Sequence, residues 1–132
     1  MTVFADYAPW YDLLYQDKDY AAETRFVEAR LRDHGIASGR LLDLGCGTGM
    51  HALDFARQGW KVAGIDLSHE MIASAKARAE QAGLSIPFRQ GDVREAGPER
   101  DFDAVVSLFH VASYQTSRDA LAAMLRSAHA AL

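Results

Sequence analysis

Cysteine, proline, basic charge and long apolar runs are all scarce in this 132-residue sequence. Its single cysteine, Cys46, excludes an internal disulfide framework and a zinc site built from several cysteines, and it suits the reducing cytoplasm. Fourteen lysines and arginines stand against 18 carboxylates, a net charge of -4, which does not favour nucleic-acid binding. No run of about 18 apolar residues predicts a membrane span. We therefore expect a cytoplasmic protein with a small-molecule ligand, no metal, and neither nucleic acid nor membrane as a partner.

The composition predicts a folded chain of one domain. Hydrophobic residues make up 49% and charged residues 24% of the sequence, as in ordinary globular proteins. A chain of this length can bury one core but not two. We expect a single domain over residues 1–132, with an N-terminal helical cover over 1–38 and a core over 39–132.

The N-terminal part shows two helical patterns. Aromatic residues over 7–16 predict a short helix or turn, on which Tyr11 or Tyr15 can line a ligand. A second helix is predicted from an N-cap at Asp19 to a stop at Gly35, because Tyr20, Thr24, Val27 and Leu31 recur at helical spacing.

Short apolar runs alternate with helical patterns in the rest of the chain. Strands are predicted over 40–44, 61–66, 86–90 and 102–108, and helices over 50–58, 69–82 and 117–132, the last opened by a capping box of Thr116 and Asp119. This alternation is typical of βαβ units with right-handed crossovers. The predicted fold class is α/β, a Rossmann-like three-layer sandwich with a mostly parallel sheet.

A glycine-rich loop follows the first predicted strand. Gly45, Gly47 and Gly49 alternate with Cys46 and Thr48 and open directly into a helix. Glycines let the chain turn sharply and let a ligand approach the main chain, and the helix N-terminus attracts negative groups. The loop therefore suits either a dinucleotide pyrophosphate or the carboxylate end of an amino-acid-like ligand.

The spacing around the loop favours the amino-acid-like ligand. A dinucleotide fingerprint requires glycine at the first, third and sixth places, but the sixth place here is Met50. Asp43, two residues before the first glycine, would repel a pyrophosphate and attract an ammonium group.

Two more carboxylates end predicted strands. Asp66 lies about 20 residues after the first glycine, where an acid can accept hydrogen bonds from ribose hydroxyls. Asp92 can accept a hydrogen bond from an exocyclic amine such as that of adenine. The apolar walls of this site are predicted to be Leu67, Met71 and Val93.

Four segments together resemble motifs one to four of class I S-adenosylmethionine-dependent methyltransferases. They are DLGCGTG at 43–49, GIDLS at 64–68, QGD at 90–92 and FDAVVSLFHV at 102–111. The resemblance implies that the glycine loop with Asp43 binds the methionine part of S-adenosylmethionine, Asp66 the ribose and Asp92 the adenine, with Leu108 and Tyr15 lining the site. S-adenosylhomocysteine would be the product.

A narrower resemblance concerns the methyl acceptor. The segments YDLLY at 11–15 and LFHVASY at 108–114 are similar to small-molecule methyltransferases, including those that act on amino groups of sugars and amino acids. We therefore predict methyl transfer to an amine or hydroxyl of a small molecule, with His110 as a candidate base. A DNA-base methyltransferase would carry an Asp/Asn-Pro-Pro-aromatic motif where this chain has SLFH at 107–110.

Members of the class usually have a seven-stranded sheet, whereas only four strands are predicted here, in the order 3-2-1-4. The sequence therefore looks truncated after the fourth strand, which would be an apolar edge able to associate with a second copy. Two alternatives stay open: a nicotinamide-dependent oxidoreductase, and a truncated module that binds S-adenosylmethionine without catalysis.

Overall fold

The computed structural model describes residues 19–108 and 117–132. The first element in the described residues is a long helix. Helix α1 spans Tyr20–Asp33, and the Asp19 carboxylate caps it by accepting a hydrogen bond from the backbone N–H of Ala22 at 2.9 Å. Gly35 then takes a left-handed conformation, with φ of +81°. Both predicted ends of this helix are confirmed. The aromatic segment over 7–16 lies outside the described residues.

Strands and helices then follow one another in the predicted order. They are β1 (Arg40–Leu44), α2 (Met50–Arg57), β2 (Lys61–Asp66), α3 (His69–Gln81), β3 (Phe88–Gln90), β4 (Ala104–Val106) and α4 (Arg118–Ala131).

The four described strands form one parallel sheet in the order β3-β2-β1-β4. Alternate residues of β1 face opposite sides of this sheet, because side chains alternate along a strand. Leu41 packs in a cluster with residues of α2 and α3, whereas Leu42 and Leu44 pack in a second cluster with Met124 of α4. Helices therefore cover both faces, and the predicted α/β three-layer architecture and strand order are confirmed.

Three predicted elements begin one or two residues later than predicted. Strand β3 begins at Phe88, after a proline that has no N–H to donate. Strand β4 is shorter than predicted because the N–H of Phe102 bonds the carbonyl of Ala131 in α4 at 3.0 Å rather than a strand. The N-cap of α4 is Ser117, whose hydroxyl accepts from the N–H of Ala120 at 3.0 Å, and not Thr116, which lies outside the described residues.

Candidate cofactor-binding site

The glycine loop follows β1 and contains three glycines in the left-handed backbone conformation. Gly45, Gly47 and Gly49 have φ values of +79°, +57° and +84°. The N–H groups of Gly45 and Cys46 both donate to the carbonyl of Ile65, at 2.7 and 3.0 Å, which fixes the start of the loop against β2. Residues with a Cβ rarely adopt such φ values, which explains the alternation of glycine in the sequence.

Gly49 is also required for packing. A Cβ at this position would lie 3.1 Å from the Cβ of Ala75 in α3 and 3.2 Å from the ring of Phe88. Gly49 is the N-cap of α2, and it makes no side-chain hydrogen bond to the first turn of that helix. Glycine therefore lets the start of α2 approach α3 and β3 closely, and a helix N-terminus favours an anionic ligand group.

Asp43 is a buried carboxylate at the end of β1. The residue is 1% exposed. Neither of its carboxylate oxygens has a hydrogen-bond partner among the described residues. Burial, with a contribution from the charge of Asp66, raises the pKa of Asp43 to about 7. A buried acid without a partner is costly, so a cationic group that reached it would be bound strongly. The residues at the loop thus fit a ligand with an ammonium group.

Asp66 ends β2 beside the loop. Its Oδ2 accepts from the N–H of Gly47 and its Oδ1 from the N–H of Ser68, both at 2.9 Å. Burial raises the pKa of Asp66, while these two backbone donors oppose the rise. The carboxylate is therefore held in a fixed orientation, and each oxygen retains a further lone pair for a hydroxyl donor.

Cys46 is a packed thiol. It is buried, its Sγ lies 3.8 Å from the carbonyl oxygen of Gly47, and a Cβ on Gly64 of β2 would come within 2.9 Å of it. Burial and the nearby carboxyl groups of Asp43 and Asp66 raise the pKa of Cys46 further above its usual value. The neutral thiol is a poor nucleophile, so any role at the site is to pack and to line it.

The third acid, Asp92, lies two residues after the end of β3, and its carboxylate already accepts hydrogen bonds within the protein. The guanidinium and the backbone N–H of Arg94 both donate to it, and this contact holds the pKa of Asp92 below its usual range. Sequence reasoning missed Arg94, because an arginine two residues from an acid is common on protein surfaces.

The structure brings the ends of β1, β2 and β3 together. Asp43 pairs with Gly64 in the sheet register, and the N–H of Gly91 donates to the carbonyl of Asp66 at 2.9 Å. Of the predicted apolar walls, Met71 and Val93 are buried, Leu67 is 49% exposed, and Leu108 is half-buried. His110, Tyr11 and Tyr15 lie outside the described residues.

Helix α1 docks on α2 beside the glycine loop through side chains that sequence reasoning did not pair. The Nε2 of His51 lies 2.8 Å from Oε1 of Glu23, and the hydroxyl of Thr24 donates to the carboxylate of Asp54. The ring of Tyr20 packs edge-on against that of His51. These contacts join residues about 30 positions apart, so no local sequence signal could reveal them.

Two features are absent from the described ranges, 19–108 and 117–132. Neither range contains a helix of the length and apolar character needed to span a membrane. Neither contains a group of three potential metal-ligating side chains.

A parallel sheet of order 3-2-1-4, with a glycine loop after its first strand and acids at the strand ends, defines a Rossmann-like methyltransferase core. Residues 41–132 match the profile of the family described as methyltransferase domain. The chain belongs to this family of S-adenosylmethionine-dependent methyltransferases, as the sequence motifs predicted. Neither the family match nor the related proteins support the alternative that the chain is a nicotinamide-dependent oxidoreductase.

Three related proteins illustrate the similarity. The chain is 37% identical, over 92% of its length, to the dTDP-3-amino-3,4,6-trideoxy-alpha-D-glucopyranose N,N-dimethyltransferase of Streptomyces venezuelae, and covers 51% of that protein. It is 40% identical, over 69% of its length, to the ubiquinone biosynthesis O-methyltransferase of Nitrobacter winogradskyi, and covers 36% of it. The S-adenosylmethionine-bound amino pentose methyltransferase of Micromonospora echinaspora superposes with a TM-score of 0.82 at 30% identity, covering 92% of this chain and 51% of that one. The chain thus spans about half the length of such relatives or less.

Proposed function

We propose that this chain binds S-adenosylmethionine at the joined ends of β1, β2 and β3 and forms the cofactor-binding part of an enzyme that methylates an amine of a small sugar-like molecule. The observation that carries the proposal is Asp43, a buried carboxylate without a hydrogen-bond partner in the described residues, two residues before the first of three glycines with left-handed φ. An amino-acid-like ligand supplies both an ammonium group for this acid and a carboxylate for the start of α2.

The other site residues receive their roles by position. Asp66, which two backbone N–H groups orient, accepts hydrogen bonds from the ribose hydroxyls. Asp92 accepts a hydrogen bond from the amino group of adenine. The remaining residues proposed to contact the cofactor are Gly45, Cys46, Gly47, Gly49, Leu67, Met71, Val93, Leu108 and Tyr15.

When bound, S-adenosylmethionine supplies a methyl group on a positively charged sulfur that an amine can attack directly. The chain's own residues bind and orient, because a direct displacement requires alignment of the nucleophile and exclusion of water rather than a covalent protein intermediate. His110 is proposed to accept the proton that the attacking amine releases.

The proposal of an amine acceptor rests on relatives. The Streptomyces venezuelae relative is named as an aminosugar N,N-dimethyltransferase and aligns with 92% of this chain, whereas the O-methyltransferase relative aligns with 69%. A hydroxyl acceptor is the second candidate, because the O-methyltransferase relative aligns with a smaller share of this chain. We further propose cytoplasmic location, supported by the single cysteine, and self-association through the edge strand β4.

Calorimetric titration with S-adenosylhomocysteine tests the cofactor site. Asp66→Ala should weaken binding by about 1.5 to 3 kcal/mol, since it removes charge-assisted hydrogen bonds. The control is Asp103→Ala, because Asp103 accepts the backbone N–H of Arg40 at 2.8 Å near the opposite end of the strands. Equal affinities of Asp66→Ala and the control for S-adenosylhomocysteine would show that Asp66 does not contribute to cofactor binding.

Transfer of an isotope-labelled methyl group tests the acceptor. The chain is incubated with labelled S-adenosylmethionine and either a dTDP-linked aminosugar or its hydroxyl counterpart. Label on the aminosugar supports the proposal, and label only on the hydroxyl compound favours the second candidate. Cofactor binding with transfer to neither would indicate a non-catalytic module.

A further inference from the structure

An arginine of helix α3 contacts the backbone of the glycine loop. The Nε–H of Arg78 donates to the carbonyl of Thr48, at 3.3 Å. Arg78 lies in the last turn of α3, whereas Thr48 lies between the second and third glycines of the loop, 30 positions earlier in the chain. Thr48 is 1% exposed, so this hydrogen bond is shielded from bulk water. Helix α3 therefore brings a charged donor to the loop of the proposed cofactor site.

The backbone on both sides of Thr48 is permissive. Gly47 and Gly49 have φ values of +57° and +84°, and glycine adopts several backbone conformations at little cost. The peptide units that meet at Thr48 can therefore rotate unless hydrogen bonds hold them. The N–H of Gly47 is held by the carboxylate of Asp66 at 2.9 Å. The contact with Arg78 holds the carbonyl of Thr48 in the same way.

A loop that already has its bound shape binds its ligand more tightly. Ordering a flexible loop costs free energy that is lost from the affinity. Removal of a donor from a buried carbonyl is also costly, and it favours a rotation of the peptide unit toward another donor. A side chain that fixes this peptide unit should therefore strengthen binding of the part of the ligand that the loop contacts.

We infer that Arg78 is a positioning residue that holds the glycine loop, through the carbonyl of Thr48, in the shape that binds the amino-acid end of the cofactor. The inference rests on the proposed function, in which the loop and the start of α2 receive that end of S-adenosylmethionine. Arg78 acts through the backbone of the loop and need not touch the ligand. It lies outside the four motif segments of the sequence.

The test compares two ligands that differ in the amino-acid end. S-adenosylhomocysteine carries an ammonium and a carboxylate group there, whereas methylthioadenosine has the same adenosine and sulfur without either group. Calorimetric titration of the 132-residue chain with each ligand gives the ratio of the two affinities, which measures the contribution of the amino-acid end. Arg78→Gln should lower this ratio by about tenfold, the size expected for loss of one hydrogen bond with a charged group. The affinity for methylthioadenosine should not change.

The matched control is Lys76→Gln. Lys76 is exposed and lies on the same helix, two residues before Arg78 and therefore on a different face. Loss of its charge should leave the ratio of affinities unchanged. Arg78→Lys is a second variant, because lysine retains the charge but lacks the Nε–H donor. It should lower the ratio in the same direction as Arg78→Gln, and thermal unfolding verifies that each variant folds.

Several outcomes would contradict the role of Arg78. An unchanged ratio in both Arg78 variants would overturn the inference, as would equal binding of the two ligands by the unmodified chain. Equal losses of affinity for both ligands would show that Arg78 supports the whole site rather than the loop. A ratio that falls in Arg78→Gln but is fully retained in Arg78→Lys would assign the effect to charge alone, and either result would also overturn the inference. If the unmodified chain binds neither ligand, the proposed function itself fails.

Discussion

At the residue scale, the carboxyl group of Asp43 has lost its hydration without gaining a described hydrogen-bond partner. Its pKa of about 7 lies above the ordinary value of 3.8, so the folded state binds this proton more tightly than the unfolded chain does. The free energy of unfolding therefore falls as the pH rises from about 4 to about 7, and the loss is complete above that range.

The variant Asp43→Asn should remove this pH dependence. Over the whole range the penalty amounts to roughly 4 kcal/mol, from about 1.4 kcal/mol per pKa unit. The free energy of unfolding is measured with urea at about pH 5 and at about pH 8. Between these two pH values, the stability of the variant relative to the unmodified chain should increase by roughly 2 to 3 kcal/mol. The exposed Asp103, replaced by Asn, serves as the control. Parallel pH profiles for Asp43→Asn and the unmodified chain would contradict the burial argument.

Ligand binding should also release a proton from Asp43. Near pH 6 this acid is mostly protonated in the free protein, and an adjacent ammonium group favours its ionised form. Calorimetry with S-adenosylhomocysteine in two buffers of different ionisation enthalpy should reveal release of up to about one proton near pH 6 and little near pH 8. Asp43→Asn should abolish the release. No release by the unmodified chain would argue against contact between Asp43 and the ligand's ammonium.

At the scale of elements, the glycine loop joins β1 to α2 only because its residues lack side chains. Alanine at Gly49 must accept a left-handed φ and also displace Ala75 or Phe88, whereas alanine at Gly83, with φ of +69°, would meet no atom within 4 Å. Gly83→Ala thus measures backbone strain alone, about 1 to 2 kcal/mol.

We predict that Gly49→Ala lowers the free energy of unfolding by about 1 kcal/mol or more beyond the loss in Gly83→Ala, because overpacking adds to the strain. It should also weaken binding of S-adenosylhomocysteine, which Gly83→Ala should not. Chemical denaturation and calorimetry measure the two effects. Equal losses of stability in both variants would show that the close approach to α3 and β3 is unimportant.

The elements could be predicted where their signals are local. The strand at 40–44, the glycine loop and the capped helix after Ser68 each carry their own residues for starting or stopping, and the structure agrees with them. The shortened β4 was not foreseen, because Phe102 bonds a helix far along the chain. Likewise, the partners of Asp92 and His51 depend on side-chain geometry, which composition and spacing do not specify.

At the scale of the whole molecule, β4 is an edge strand in the part of the chain described, hydrogen-bonded to β1 alone. Unpaired backbone groups on such an edge favour pairing with another strand. Helix α4 and the residue after it also expose apolar side chains, with Leu125 61% and Leu132 57% exposed. These features support self-association of the 132-residue chain.

Size-exclusion chromatography over a concentration series should therefore show a dimer or a larger species that dissociates on dilution. The physical reason is that association buries the β4 edge and the exposed leucines. A monomer at every concentration would refute self-association without affecting the cofactor site, which is built from β1, β2 and β3.

The central claim is that the strand ends around Asp43 and Asp66 bind S-adenosylmethionine rather than a dinucleotide. Calorimetric titration of the unmodified chain with S-adenosylhomocysteine and, separately, with NAD tests this claim most directly. We predict saturable binding of S-adenosylhomocysteine at one site per chain and no measurable heat of binding with NAD. Binding of NAD with no response to S-adenosylhomocysteine would contradict it.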